Sequence, residues 1–171
     1  MLHTFTVYGV PAPKGNKSAF PIRKGGRLTG RVAVVEKGEG HKDWSRRVEE
    51  VVQAHAAGGA ELLDGPLALA VRFYLPRPVS EPKRRRTWPQ RKPDLDKLIR
   101  ALLDPMSGVL IADDARIVEL FASKDFAEAT EDPRPRAVVS VWNLSEGEGV
   151  NQDEPIPGQA VLTSTGDPAL D

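Results

Sequence analysis

LALAVRFYL at residues 67–75, followed after a basic loop by DLDKLIRALL at residues 94–103, decides the fold. The first run alternates around Leu67, Leu69, Val71, Phe73 and Leu75, the two-residue period of a strand with one buried face. The second sets Leu95, Leu98, Ile99, Leu102 and Leu103 on one face of a 3.6-residue period, which makes an amphipathic helix. Pro76 and Pro78 close the strand. Asp104-Pro105 is expected to stop the helix at Leu103, because the residue before a proline avoids the helical region.

Working outward, residues 3–10 alternate around Phe5 and Val7, and residues 31–36 carry Val32, Val34 and Val35, so both read as strands. Residues 14–18 between them read as a basic loop. Trp44, Val48, Val51, Val52 and His55 predict a helix over residues 41–57, which Gly58-Gly59 ends. Residues 116–124 and 136–144 read as two more strands. The order is strand, strand, helix, strand, helix, strand, strand. That is α+β: a small mixed β-sheet with two helices packed on one face. Residues 1–144 form the folded domain. Residues 145–171 have no aromatic, no positive charge and no sustained period, and read as a disordered acidic tail.

The net charge is zero, but the charges are segregated. Residues 1–93 hold 18 Lys/Arg against 8 Asp/Glu, residues 94–144 hold 6 against 10, and residues 145–171 hold none against 6. A basic body facing a group of acids suits a polyanionic substrate with a metal between them. The chain has no cysteine, which excludes disulfides and thiolate metal sites. No apolar run approaches the ~20 residues that cross a bilayer, and the N-terminus lacks a secretory pattern, so no membrane partner and a cytoplasmic location are expected.

Two pairs of acids are candidate metal ligands. Asp94 and Asp96 flank Leu95 at the start of the second helix, and Asp113-Asp114 closes the segment before the strand at Arg116. Paired carboxylates are suitable oxygen ligands for Mg²⁺, which takes a few carboxylates plus waters and substrate phosphates. Each pair has a bland account as well, Asp94 as a helix N-cap and Asp113-Asp114 as a turn. Together they are more informative, provided that the two elements converge. Arg100 lies one helical turn beyond Asp96, off the apolar face, as does Lys97. That spacing favours Arg100 as the cation nearer the acids. Lys14 and Lys17, then Lys83, Arg84, Arg85, Arg86, Arg91 and Lys92, are candidate phosphate contacts. Trp88 among them either stacks on an unpaired base or anchors the loop by burial. His3, His41 and His55 have no metal-like spacing, and neither a phosphate-cradling glycine loop nor a serine elbow is present.

The run KPDLDKLIRALLD at residues 92–104, then Gly108-Val109-Leu110 and Asp113-Asp114-Ala115-Arg116-Ile117-Val118, resembles the signature of the RusA-type Holliday-junction resolvases. The resemblance is dense over residues 92–118, looser over 1–91, and absent over 145–171. It implies an enzyme, a crossover junction endodeoxyribonuclease of DNA recombination and repair. It further implies a homodimer that binds four-way DNA junctions and cuts two strands with Mg²⁺ or Mn²⁺. It implies catalytic acids at Asp94, Asp96 and Asp114, with Asp113 beside them, and a phage or prophage setting. Two departures stand out. Lys97 occupies the position of the usual asparagine, and Arg100 that of the usual helix lysine, so the catalytic cation is one of these two. Rival readings are a branched-DNA-binding protein of the same fold without cleavage and a D-x-D sugar transferase.

Overall fold

The computed structural model of the chain describes residues 2–14, 16–37, 40–82 and 85–146. Its secondary structure runs β1 (Leu2–Tyr8), β2 (Asn16–Lys24), β3 (Arg27–Lys37), α1 (His41–Ala57), β4 (Leu67–Leu75), α2 (Leu95–Met106), β5 (Ile117–Phe126) and β6 (Arg136–Asn143). Four strands form one mixed sheet in the order β1-β6-β4-β5, and β2 and β3 form a separate two-stranded hairpin. β6 is antiparallel to both β1 and β4, whereas β5 runs parallel to β4. This is the α+β architecture expected from the pattern of apolar residues.

The alternation of β4 places Leu67, Leu69, Val71, Phe73 and Leu75 on one face. They join Phe5 and Val7 of β1 and Ala137, Val139 and Val141 of β6 in the core. Trp44, Val48 and Val52 of α1 and Leu98, Ala101, Leu102 and Met106 of α2 cover that same face. Burying one such Leu or Val side chain contributes about 1.5–3 kcal/mol. Both helices therefore follow from their apolar stripes, and both lie on one side of the sheet.

The helices also run in the same direction. Arg47, early in α1, lies against Gly9 at the end of β1, and His55, late in α1, bonds His3 at its beginning. Gly9 has φ +135°, and a Cβ there would come within 2.7 Å of the Arg47 side chain, so that turn requires glycine. The beginning of α2 sits at the far end of β5, where Lys124 Nζ donates to the carbonyls of Arg91 and Pro93 at 2.8 and 2.9 Å. Its end leads to Ile111, which bridges to Leu63, just ahead of β4. Both helix N-termini thus stand at the end of the sheet where β1, β4 and β5 finish.

Three local expectations are corrected. Residues 16–18, read as loop, belong to β2, which pairs with an enlarged β3 from Asn16↔Lys37 to Lys24↔Arg27. The alternation of β2 is blurred by lysine and proline, and only its partner strand reveals it. The second helix does not stop at Leu103 but continues through Pro105 to Met106. Met106 is fully buried, and Ser107 donates backbone and hydroxyl hydrogens to the Leu103 carbonyl, so burial and these bonds hold the last turn despite the proline. The first strand ends at Tyr8, short of Val10, which is exposed. The acidic tail from residue 147, with Lys83 and Arg84, lies outside the described residues.

Candidate nuclease site

β4 ends at Leu75, and the chain returns through a proline-rich loop to start α2 at Leu95. Pro89 is the buried anchor of this loop. Trp88 is instead 60 % exposed, with the Arg86 guanidinium 4.2 Å above its ring. Of the two roles open to Trp88 in the sequence, burial is the one the structure does not give it. Arg86 also pairs with Asp125 of β5. Successive side chains of a strand point to opposite faces. Lys124, opposite Phe73, faces the helices, and Asp125, opposite Tyr74, faces away. The loop is thus fastened to both faces of β5 at one point along the strand. Lys124 was missed in the sequence, because a lysine near the end of a strand gives no local sign that it caps carbonyls some 30 residues earlier.

Asp94 occupies the N-cap position of α2, but its side chain makes no capping hydrogen bond. Its carboxylate pairs with Lys97 Nζ at 3.0 Å, and both side chains are part-exposed. The hydrogen bond from Lys97 holds the Asp94 carboxyl below the usual carboxylate range, and Lys92 and Lys124 add to the effect. The bland account of Asp94 as a cap is therefore not the one realised. Asp96 is exposed in the first helical turn, where the helix dipole favours an anion. Arg100, favoured by spacing, is exposed and has no ion-pair partner among the described residues; the cation at the acid is Lys97. Lys14 reaches this end of α2, its backbone N–H donating to the Lys97 carbonyl at 3.4 Å, but its ammonium pairs with Asp104. Arg85, Arg91 and Lys92 are exposed around the loop. The side chain of Lys17 lies outside the described residues.

Asp113 and Asp114 stand elsewhere. They form the 3₁₀ turn Asp114–Arg116 that enters β5, and Asp113 accepts a hydrogen bond from the Ala115 N–H at 2.8 Å. Arg116 pairs with Asp64 at 2.9 Å, which ties the turn to the segment ahead of β4. Asp114 is exposed. The first pair of acids is thus beside Lys124 near the end of β5, and the second is beside Ile117 at its start. The seven-residue interval from Ile117 to Lys124 spans roughly 23 Å at the strand rise of ~3.3 Å. Mg²⁺ holds its ligands at ~2.0–2.1 Å, and an aspartate side chain cannot bridge such a gap. Among the described residues, no group of three or more His, Asp or Glu is placed to hold one ion. A single chain therefore supplies Asp94 and Asp96 together, and Asp114 apart from them. The residues of one chain do not fit a three-carboxylate centre.

His3 and His55 are brought together from β1 and α1, Nδ1 to Nε2 at 3.1 Å. Burial, and then the neighbouring His55, push the His3 imidazole below its usual value.

A family model for the endodeoxyribonuclease RusA matches residues 9–141, which makes the class of protein a nuclease acting on DNA. The chain belongs to the RusA endodeoxyribonuclease family. It is also similar to the uncharacterized protein YqaN of Bacillus subtilis (strain 168), 27% identical over 150 residues, which cover 82% of this chain and 96% of that protein. Among the described residues no helix is long and apolar enough to cross a membrane.

Proposed function

We propose that the chain is a divalent-metal-dependent endonuclease that resolves four-way DNA junctions as a homodimer, by paired phosphodiester hydrolysis in recombination and repair. One observation carries the reading within the family: the Asp94 side chain caps no backbone N–H, Asp96 is exposed beside it, and the two stand where a basic loop meets the start of α2, at the end of the sheet where α1 also begins. Arg85, Arg91, Lys92 and Lys97 supply positive charge there. Phosphate affinity depends on such charge and carries no sequence information. Lys97 holds Asp94 ionised, and Lys124 fixes the backbone from which Asp94 projects. Exposed Trp88, backed by Arg86, offers a flat face to an unstacked base.

Mg²⁺ or Mn²⁺ is the proposed cofactor. When bound, such an ion polarises the scissile phosphate and makes a coordinated water more acidic. Asp94 and Asp96 are the ligands proposed from this end of the chain; Asp114, held at the other end of β5, would join such a centre only from the second protomer of the homodimer. A two-fold dimer presents two equivalent sites to a junction of matching symmetry.

The test is cleavage of a synthetic four-way junction and a matched linear duplex, each with Mg²⁺, Mn²⁺ or EDTA. Paired cuts in the junction that require metal are expected. Tight junction binding with no cut in either metal would instead identify a non-catalytic branched-DNA-binding protein of the same fold.

A further inference from the structure

We infer that Arg47 and Arg134, which line one open basin at the β1 edge of the sheet, form a second phosphate site that grips the far backbone of a DNA arm whose near backbone lies at Asp94 and Asp96. The inference rests on the proposed action on branched DNA and adds where a second strand of that substrate is held.

Three observations lead to it. First, the basin is built by the fold. Tyr8, Gly9, Val10, Arg47, Arg134 and Pro135 enclose a volume of about 240 Å³. The Gly9 N–H donates to the Pro135 carbonyl at 3.0 Å, which joins the end of β1 to the turn ahead of β6. The missing side chain of Gly9 leaves room for the Arg47 stem. Second, the two guanidinium groups keep donors unspent. Arg134 lies 4.1 Å above the Tyr8 ring, and its Nε and Nη2 donate to Asp132 at 2.8 and 2.9 Å. Its Nη1 has no partner among the described residues, and Arg47 makes no hydrogen bond or ion pair with any of them. With Asp132 set against them, the two arginines leave one positive charge over. A guanidinium fork matches phosphate oxygens and stays charged at any working pH. Third, the basin is level with the acids. Tyr8 pairs with Arg136, Arg136 with Tyr74, and Tyr74 with Asp125, in one row across the sheet. Asp125 adjoins Lys124, whose ammonium fixes the backbone ahead of Asp94.

A duplex arm is the ligand that fits all three. From β1 to β5 the sheet order gives three inter-strand intervals of ~4.8 Å, roughly 14 Å in all. The major groove of DNA is ~12 Å wide, so an arm with one backbone at Asp94 and Asp96 brings the other to the basin. The basin is smaller than the ~300–1,000 Å³ of a pocket that encloses a small molecule, as suits a phosphate that stays attached to a polymer. A contact to phosphate carries no sequence information and touches no reacting atom, so Arg47 and Arg134 are positioning residues.

The decisive experiment uses the full-length chain and the variants Arg47→Gln and Arg47→Lys, which change an exposed side chain and leave the core intact. Junction binding is titrated in Ca²⁺ over a series of salt concentrations, and cutting is followed at saturating protein in Mg²⁺. Arg47→Gln is expected to bind the junction about 10-fold more weakly, the worth of one charge-assisted contact. Its log–log salt slope should fall by about 0.9, with the cutting rate at saturation little changed. Arg47→Lys should keep the wild-type slope. A folded Arg47→Gln protein with wild-type affinity and slope would overturn the inference, and wild type cutting normally would leave the proposed activity standing. A wild-type protein that neither binds nor cuts the junction would overturn both. A second measurement replaces single phosphates of the strand across the major groove from the cut with uncharged methylphosphonates. One position should weaken binding by wild type and have little effect on Arg47→Gln, because two changes to one contact are not additive. Additive losses at every position would overturn the assignment of the basin to that backbone. Inorganic phosphate that raises the Tm of wild type and not of Arg47→Gln, with equal junction binding by the two, would assign the basin to a free anion and overturn the inference as well.

Discussion

Asp94-Leu95-Asp96 and Asp113-Asp114 are similar in sequence and are employed differently. At the end of β5, Asp94 stands at a helix N-cap without capping, ion-paired to Lys97 in a ring of positive charge. At the start of β5, Asp113 does cap its turn, through the Ala115 N–H. Its neighbour Asp114 projects from that turn, beside an arginine already paired to Asp64. Both motifs have bland accounts in a sequence. Only Asp113 adopts its own, so position within the fold, and not residue type, separates a turn-former from a candidate ligand.

The comparison breaks first at the acids themselves. Asp94→Asn, Asp96→Asn and Asp114→Asn should each reduce junction cleavage beyond the roughly 10–100-fold typical of outer-shell partners. Junction affinity in Ca²⁺ should be kept or improved, since each change removes negative charge. Single-turnover cutting and gel-shift titration measure the two quantities, and full cutting by any variant would remove that residue from the site.

Lys124→Met comes next, because it removes both bonds that fix the backbone ahead of Asp94. It should lower cleavage within that ~10–100-fold range and raise the Mg²⁺ concentration needed for half-maximal rate, with junction affinity little changed. An unaltered Mg²⁺ dependence would make Lys124 merely a packed side chain. Lys97→Ala should act in the same direction and exceed Arg100→Ala, since Lys97 is the cation bonded to Asp94. The reverse order would restore the assignment that helical spacing suggests.

Arg85→Ala combined with Arg91→Ala should weaken junction binding and reduce its log–log salt slope by about 0.9 for each phosphate no longer neutralised. Equal slopes would mean that this end of the molecule faces away from DNA. Asp113→Ala should cost about 1 kcal/mol of stability in urea unfolding, the usual worth of a cap, with cleavage far less affected than by Asp114→Asn.

The smallest effect belongs to His3. Its imidazole resists protonation in the folded protein, so the unfolded chain binds more protons as pH falls below the ordinary histidine value of 6.5. Stability is therefore complete above that value and declines as pH drops toward the depressed folded pKa. Tm should fall modestly from pH 7.5 to pH 5.5, and less so in His55→Gln. An equal fall in both would remove the histidine pair as the cause.

The sequence by itself determined the elements and the chemistry. α1 begins and ends where the spacing of Trp44, Val48 and Val52 puts it, and β4 where the alternation of Leu67 through Leu75 puts it, because side-chain periodicity is a local property. The run over residues 92–118 likewise disclosed the family, since its acids and apolar positions lie close along the chain. Other features depend on what lies far away in sequence. The last turn of α2 needed the burial of Met106, β2 needed β3, and Lys124 needed carbonyls that a strand pairing brings to it. The separation of Asp94 from Asp114 was equally hidden. Roughly twenty residues intervene between them, and whether that chain brings two carboxylates together or holds them apart depends on the direction of α2 along β5. Only the tertiary structure decided it, because core burial and the ties at both ends of the helix fix that direction.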